Sequence, residues 1–289
     1  MKSRKTGLHQ FMAVPAFVLY AVFFNYPLMK GIGLCFTDWD GIKAAHFVGL
    51  QNFIDFFHDQ RALSDIKTTV LFTLGSAPLL NIVGLLYALL MNSDFKGKSI
   101  ARICIYMPAI ISPLIMGYIW YFLLQPGRGF LYYFFEGLGH PEWFGNWMGS
   151  YRSALLVIIL VNVWQYAGMT MVVYLAGLQG ISKELYEAAT IDGARWIDSF
   201  LYVTIPLLGP SIRINVITNI IGSLSVFDIV MSLTGGGPGY QTETLSIYIM
   251  RMCYGSKTGY SVAVAIILFL IVLVPVAASS WLMRKKEED

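Results

Sequence analysis

The chain has 289 residues, of which 56% are hydrophobic and 13% are charged. A soluble domain carries roughly 25% charged residues, so this composition excludes a water-soluble globule and indicates a chain that lies mostly in lipid. A net charge of +3 is too small to suggest a nucleic-acid partner. The three cysteines, Cys35, Cys104 and Cys253, have no close spacing and predict neither a disulfide framework nor a metal site.

Six largely uncharged stretches are long enough to cross a membrane, which takes about 20 apolar residues. We therefore predict an all-α membrane protein with six transmembrane helices. In chain order the predicted spans are Phe11–Leu34, Thr68–Met91, Ile103–Leu124, Ala154–Ala176, Leu207–Met231 and Tyr260–Met283. Arg213 and Asp228 interrupt the fifth span near its two ends, where each could reach polar surroundings.

Lysine and arginine are concentrated at both chain ends and in the second and fourth connections between spans. These residues are Lys2, Arg4, Lys5, Lys96, Lys98, Arg102, Lys183, Arg195, Arg284, Lys285 and Lys286. Cytoplasmic loops carry such an excess, so both termini are predicted to be cytoplasmic. On the opposite side, an interfacial aromatic belt is expected from Trp39, Trp143, Trp147 and Tyr254.

No internal repeat or low-complexity segment stands out, which predicts one membrane domain. Its parts are an anchor helix with the first outer loop at 1–66, a five-helix core at 67–283 and a cytoplasmic tail at 284–289. The first apolar run is long and aromatic and lacks a small-residue cleavage site. It is therefore interpreted as a retained anchor, not as a signal peptide.

The connection between the fourth and fifth spans, Gly177–Pro206, is too long for a simple turn and has helical character. Ser182 is placed to cap a short helix, and Gly193 to end it in a left-handed conformation. A second amphipathic run, Trp196–Val203, follows, and Pro206 is expected to set the entry to the fifth span. Two interpretations remain open: a helix lying in the membrane interface, or an element that docks onto a protein partner.

Polar residues, together with one methionine and one phenylalanine, lie at helical spacing inside two spans. In the fourth span these are Asn162, Gln165, Tyr166 and Met169, and in the fifth they are Asn219, Ser223, Phe227 and the adjacent Asp228. Each set occupies one face of a helix, so the two faces could line a shared cavity. Amides, hydroxyls and aromatic rings suit a neutral sugar. The alternative is that these groups hold one helix to another.

Motifs for ATP binding and catalysis are missing. The glycines at Gly235–Gly237 lack the Gly-Lys-Ser/Thr of a phosphate-binding loop and are interpreted as a turn or a loop next to a gate. No histidine, cysteine and carboxylate set has metal-ligand or catalytic spacing. The sequence therefore predicts that this chain is not an enzyme and binds no cofactor.

Specific segments resemble one family. Glu187-Ala188-Ala189, Gly193 after three further residues, and Ile205-Pro206 resemble the EAA signature of membrane subunits of bacterial binding-protein-dependent ABC importers. Ile205 departs from the usual leucine but keeps an apolar contact. Asp192 with Gly193-Ala194 is similar to the carbohydrate-uptake branch of that family. So are Phe36–Asp40 with Phe47–Phe53 in the first outer loop, and Leu233–Gly239 with Thr242–Leu245 before the last span.

This resemblance, which covers nearly the whole chain, implies a type I ABC importer permease fold in the bacterial cytoplasmic membrane. It implies a coupling helix at 182–195 that docks on an ATPase through Tyr186, Glu187, Ala188, Ala189, Asp192, Gly193 and Ala194. The implied partners are a second homologous permease, two ATP-binding subunits that carry ATP and Mg, and an extracytoplasmic solute-binding protein. The implied substrate is a sugar, with an oligosaccharide favoured over a monosaccharide.

Three alternatives remain. A glycerol-3-phosphate permease of the same family would want several cavity-facing arginines or lysines, which the middle of the spans lacks. An ion-coupled secondary carrier would be expected to show inverted repeats and more charge inside the membrane. An intramembrane enzyme is disfavoured because no catalytic set is present.

Overall fold

The computed structural model describes residues 6–140 and 144–288. Lys2, Arg4, Lys5 and Trp143 lie outside the described residues, as do the side chains of Arg284, Lys285 and Lys286. Within the described ranges the chain is helical, with a single isolated bridge between Thr37 and Phe47 in place of any strand.

The helices run in chain order as follows. They are α1 (Thr6–Tyr20), α2 (Tyr26–Leu34), α3 (Gln51–His58), α4 (Gln60–Asn92), α5 (Lys98–Ile110), α6 (Pro113–Leu123), α7 (Phe130–Gly137), α8 (Tyr151–Gln179), α9 (Lys183–Ile191), α10 (Trp196–Ser199), α11 (Ile205–Leu207), α12 (Gly209–Leu224), α13 (Asp228–Leu233), α14 (Leu245–Tyr254) and α15 (Thr258–Glu288). Two π-helical turns, Ala21–Asn25 and Phe200–Thr204, join α1 to α2 and α10 to α11.

Four helical segments are long and apolar enough to cross a membrane: Ala13–Leu34, Gln60–Asn92, Tyr151–Gln179 and Thr258–Trp281. Two further pairs of helices pass the same test but are sharply bent. α5 and α6 meet at 97°, and Trp196–Leu207 meets α12 at 69°. The described residues thus contain four helices that could cross a membrane, or up to six if each bent pair is one span.

The predicted third span, Ile103–Leu124, needs correction because it is not a continuous helix. α5 ends at Ile110, and Ile111 and Ser112 are extended, with ψ of 136° and 133°. A residue before proline is pushed out of the helical region, so Pro113 ends one helix and begins the next. Hydropathy averaged over residues 103–124 is uniformly apolar, so it does not reveal the break at Ile111 and Ser112.

The predicted fifth span, Leu207–Met231, also needs correction. α12 ends at Leu224, and α13 begins as a separate helix at Asp228. Pro206 lies in α11, two residues before the bend at Leu208 that leads into α12.

The chain divides into two compact units. The first comprises Met1–Leu63 and Tyr248–Leu268. In it, the Asn52 amide donates to the carbonyls of Cys35 (2.7 Å) and Thr37 (2.9 Å), which fixes α3 against the end of α2. Asp59, just after α3, accepts hydrogen bonds from the hydroxyls of Tyr248 and Tyr260. These contacts join segments from the two ends of the chain.

The second unit comprises Ser64–Ile247 and Phe269–Asp289. One core cluster surrounds Phe72, Ile158 and Ile229, and a second surrounds Met171 and Leu208. Two glycines allow close helix approach. A Cβ on Gly168 of α8 would overlap the carbonyl oxygen of Ile105 in α5, and one on Gly117 of α6 would overlap the Ser232 hydroxyl in α13. The two halves of the broken third span therefore pack on different partners, α5 on α8 and α6 on α13.

Candidate functional site: a polar cavity and an exposed loop helix

A cavity of about 440 Å³ lies in the second unit between α8 and α12 and is also lined by the segment 225–229. This volume falls within the range of ordinary small-molecule sites. The structure brings seven of the eight sequence-predicted residues to its wall. They are Asn162, Tyr166, Met169, Asn219, Ser223, Phe227 and Asp228.

Some of these polar residues also tie helices together. The Asn162 amide donates to the Ser76 hydroxyl of α4 at 2.7 Å. Asn219 of α12 exchanges hydrogen bonds with the Thr170 hydroxyl of α8, at 3.3 and 3.4 Å. The two interpretations made from sequence are therefore compatible for Asn162 and Asn219, because each lines the cavity and bonds a neighbouring helix.

Gln165, the eighth predicted residue, lies outside the cavity wall. It is fully buried, and its amide donates to the carbonyl of Ile111 at 3.0 Å. Ile111 is where the third span breaks and its carbonyl cannot bond within a regular helix. Gln165 therefore satisfies the backbone of the broken span instead of facing a substrate. Its spacing on α8 placed it close to the cavity face but could not show which neighbour it meets.

Other cavity residues keep their side-chain groups available. The Ser223 hydroxyl is buried and has no hydrogen-bond partner within the described residues. The Asp228 carboxylate is exposed and shares the cavity wall with the Tyr166 phenol. In the described part of the chain no lysine or arginine forms an ion pair with Asp228. These groups can bond a ligand without first giving up a bond to the protein.

Several lining residues escaped the sequence analysis, namely Thr170, Asn215, Thr218 and Ser225. Two of them were available from spacing. Asn215 precedes Asn219 by four residues, and Thr170 follows Tyr166 by four, so both extend the faces already recognised. Asn215 donates to the Thr170 carbonyl at 3.2 Å, which adds a third bond between α8 and α12.

The connection after α8 forms the short helix that the sequence predicts. The Ser182 hydroxyl accepts from the backbone N–H of Glu184 at 3.3 Å, which confirms the predicted cap. The helix ends at Ile191, and Gly193 has a φ of +82°, the predicted left-handed conformation. The N–H of Gly193 donates to Thr190 and that of Ala194 to Ala189, so the turn satisfies the end of α9.

The outer surface of α9 is exposed, whereas its inner side is anchored. Glu187, Ala188, Asp192 and Gly193 are exposed, and Ala189 and Ala194 are half-buried. On the inner side, the half-buried Tyr186 hydroxyl shares a 3.0 Å hydrogen bond with Thr204.

Large apolar side chains surround this surface. Ile191 is 85% exposed and Trp196 is 73% exposed, and Leu185 is exposed beside them. Trp196 stacks on Phe200, with 5.6 Å between ring centroids. An apolar, small-residue surface on a firmly anchored short helix is suited to docking in the groove of another protein.

The glycine-rich segment before α14 is a turn, as predicted. Gly235, Gly236 and Gly239 all have positive φ, and the Thr242 hydroxyl donates to the carbonyl of Gly237 at 2.5 Å. Among the described residues, no group of three histidine, cysteine or carboxylate side chains is arranged to hold a metal ion.

Comparison with known proteins places these features in one family. Residues 81–287 match the family described as "Binding-protein-dependent transport system inner membrane component". The trehalose/maltose transport system permease protein MalF of Thermococcus litoralis is 32% identical over 274 residues, which cover 94% of this chain and 92% of that protein. A probable starch degradation products transport system permease protein, AmyD of Thermoanaerobacterium thermosulfurigenes, is 29% identical, covering 99% of this chain and 97% of that protein.

The fold is similar to that of a solved transporter. A bacterial alginate ABC transporter in complex with alginate pentasaccharide-bound periplasmic protein contains a chain with a TM-score of 0.84. The two chains are 23% identical, and the match covers 97% of this chain and 95% of that one. At this identity the likeness establishes the shared fold.

Proposed function

We propose a sugar-transport function for this chain, which belongs to the family of inner-membrane components of binding-protein-dependent transport systems. It is a multi-pass permease component of an ABC importer. Its relatives include a trehalose/maltose permease and a probable permease for starch degradation products. The substrate proposed for this chain is a saccharide, with an oligosaccharide favoured, that passes through the cavity between α8 and α12.

The observation that supports a sugar is the chemistry of the cavity wall. Amides, hydroxyls and one carboxylate alternate with the rings of Tyr166 and Phe227. Sugar hydroxyls exchange hydrogen bonds with the polar groups, and aromatic faces cover the C–H patches of a pyranose. The buried Ser223 hydroxyl supports this assignment, since a ligand hydroxyl would supply the partner that the protein does not.

The second part of the proposal concerns energy supply. The exposed surface of α9, through Glu187, Ala188 and Gly193, docks on an ATP-binding subunit. ATP and Mg bind to that subunit, because this chain carries no phosphate-binding loop, and no cofactor binds here. Both chain termini lie on the cytoplasmic side with α9. A second homologous permease completes the pathway, and an extracytoplasmic binding protein delivers the sugar.

ATP binding would then drive a rigid-body switch between two states of the permease pair. The ATPase can shift this equilibrium only if it contacts α9 more favourably in one state than in the other. The anchoring of α9 through Tyr186 and Thr204 lets movement of the docked helix reach the rest of the second unit.

The test is to tag the chain in its native host, extract it in mild detergent and identify what co-purifies. An ATPase, a second permease and a solute-binding protein are expected. Uptake of a panel of labelled saccharides, compared between the host and a deletion strain, then identifies the sugar. Recovery of the chain alone, with transport in liposomes that needs no ATP, would contradict the proposal and indicate an ion-coupled carrier.

A further inference from the structure

We propose that Asp228 makes the cavity charge-selective, so that it admits neutral or amino sugars and rejects uronic acids and phosphate esters. This inference rests on the proposed function and narrows its substrate class. The carboxylate stands at the start of α13, and all five residues of the segment 225–229 line the cavity. A substrate that enters the cavity therefore meets this group.

The first supporting observation is that, among the described residues, Asp228 is the only charged one on the cavity wall. The other lining residues are amides, hydroxyls, aromatic rings, aliphatic side chains, a methionine, a proline and a glycine. Arg213, which shares α12 with Asn219, lies outside the wall, and its guanidinium donates to the Ser280 hydroxyl at 2.9 Å. The wall formed by this chain thus has a net charge of −1.

The second observation concerns the surroundings of that charge. Leu80, Val173, Ile214 and Phe227 contribute apolar wall, which weakens the screening that water would give an exposed carboxylate. Clefts lined by one sign of charge with apolar walls attract ions of the opposite sign and repel those of the same sign. A neutral sugar can donate hydrogen bonds from its hydroxyls to Asp228. The ammonium group of an amino sugar is attracted to the carboxylate as well. An anionic sugar is repelled, and no cation on this wall compensates for the repulsion.

The negative charge of this cavity wall is the opposite of what a site for an acidic sugar polymer needs. The solved transporter of the same fold imports alginate, whose acidic nature calls for positive charge along its path. Two proteins can therefore share this fold and differ in the sign of the charge on the cavity wall. In this chain the single side chain of Asp228 makes that charge negative.

The test compares how fast cationic and anionic reagents modify a cysteine on the cavity wall. It therefore probes the charge of the cavity without requiring that the transported sugar be known. Thr218→Cys places a thiol on the wall. The change is mild because the Thr218 hydroxyl bonds only the carbonyls of Ile214 and Asn215 in its own helix. The complex that co-purifies with the tagged chain is placed in lipid nanodiscs. Rates of modification by a cationic and an anionic methanethiosulfonate are measured by peptide mass spectrometry.

The exposed native Cys253 provides a reference thiol in the same sample. The ratio of cationic to anionic rate at Thr218→Cys should exceed that at Cys253 by roughly tenfold. Asp228→Asn should remove this excess, and Asp228→Glu should keep it. Glu136→Gln, which neutralises an exposed carboxylate at the end of α7, should leave it unchanged. An excess that is missing in the starting protein, or that survives Asp228→Asn, overturns the proposal.

A second readout separates this inference from the proposed function. Maltotriose is the neutral probe, since relatives transport trehalose/maltose or starch degradation products. Its C6-oxidised uronate is the anionic probe. Maltotriose should protect Thr218→Cys from modification, and the uronate should do so only after Asp228→Asn. Equal protection by both probes overturns charge selectivity while leaving sugar transport intact. Failure of every saccharide in the uptake screen overturns sugar transport instead.

Discussion

Ser223 is a cavity residue whose role can be tested without disturbing the fold. Its hydroxyl is buried and has no hydrogen-bond partner in the described part of the chain. A buried polar group without a partner costs free energy, so its removal need not destabilise the protein. Under the proposed function, the hydroxyl is expected to bond a ligand in the cavity and to contribute little to the stability of the fold.

We predict that Ser223→Ala leaves the melting temperature of the purified complex unchanged or slightly raised, while sugar affinity falls about fivefold, the loss of one hydrogen bond. Both quantities are measured on the same preparation. Ser232→Ala is the matched control, because Ser232 is equally buried but already donates to the Asp228 carbonyl at 2.7 Å. A drop in melting temperature with unchanged affinity would contradict the assignment.

Gln165 should behave in the opposite way. Gln165→Met keeps the length of the side chain but leaves the Ile111 carbonyl, at the break of the third span, without this hydrogen bond. We expect a loss of about 1 kcal/mol in stability, read from thermal inactivation of the extracted complex. Gln179→Met, at the exposed end of the same helix, should have no measurable effect. If both variants melt alike, the hydrogen bond to Ile111 does not hold the break.

At the level of single residues, helical spacing was enough to find one wall of the cavity. Asn162, Tyr166 and Met169 follow from a period of 3.6 residues, and so do Asn219 and Ser223. Gln165 shares that spacing, yet its partner comes from another helix at a point where the backbone leaves the helical conformation. A hydrogen bond to a distant carbonyl leaves no trace in local sequence, so this role required the structure.

At the level of the helices, the two halves of the broken third span pack on different helices: α5 packs on α8, and α6 packs on α13. α6 and α13 touch at Gly117 and Ser232, where a Cβ on the glycine would overlap the serine hydroxyl and lie 2.9 Å from its Cβ. α5 packs instead on α8 through Gly168. The extended residues Ile111 and Ser112 form the joint between these halves and let each follow its own neighbour.

A size exchange tests the contact between α6 and α13. Gly117→Ala alone should destabilise the extracted complex by about 1–3 kcal/mol, because the methyl group meets the Ser232 side chain. Gly117→Ala combined with Ser232→Gly should recover most of this loss, since the overlapping atoms are gone. Thermal inactivation is measured for the starting protein, Gly117→Ala, Ser232→Gly and the double variant. The difference between the effect of the double variant and the sum of the two single effects is the coupling between the residues. Additive effects would show that the two residues do not share a contact.

The turn after α9 offers a test of coupling to the ATPase. Proline requires a φ near −65°, whereas Gly193 has +82° and donates its N–H to Thr190. We predict that Gly193→Pro abolishes uptake while the chain still reaches the membrane, as judged by fractionation and uptake assays. Gly139→Pro is the control, because Gly139 follows the short helix α7 with a φ of +80° and a similar hydrogen bond. Normal uptake in Gly193→Pro would remove the coupling role.

The sequence predicted α9 well and the two bent spans poorly, for physical reasons. A cap at Ser182 and a left-handed glycine at Gly193 are local signals with local causes. The break before Pro113 also has a local cause, but an average over some 20 apolar residues conceals it. A search for residues forced out of the helix by a following proline would have found this break.

At the scale of the whole molecule, Asp59 links distant parts of the first unit and should make that unit sensitive to acid. Burial raises the pKa of Asp59, but hydrogen bonds from Tyr248, the N–H groups of Ala62 and Arg61, and Tyr260 outweigh it, so the pKa falls below its ordinary value. A carboxyl with a lowered folded pKa stabilises the fold above its unfolded pKa, and this contribution is lost as pH falls through the folded value.

We predict that the protection factors of amide hydrogen exchange in 248–268 are high at neutral pH and fall as the pH drops below about 4. Asp59→Asn should give faster exchange already at neutral pH and flatten this dependence. Asp55→Asn is the control, because Asp55 is an exposed carboxylate on α3 that accepts only from Gln51. A pH dependence that persists unchanged in Asp59→Asn would assign the effect to other groups.

The hydrogen bond between Asp59 and Tyr248 spans 189 positions of the chain, which has a consequence for biosynthesis. At roughly 5–20 residues per second, a ribosome needs about 10–40 s to make the intervening segment. During that interval Asp59 lacks its contact with Tyr248, while residues 64–247 of the second unit are being made. A nascent chain that stops short of Tyr248 would lack both tyrosine partners of Asp59 and also residues 269–289 of the second unit, so neither unit would be complete.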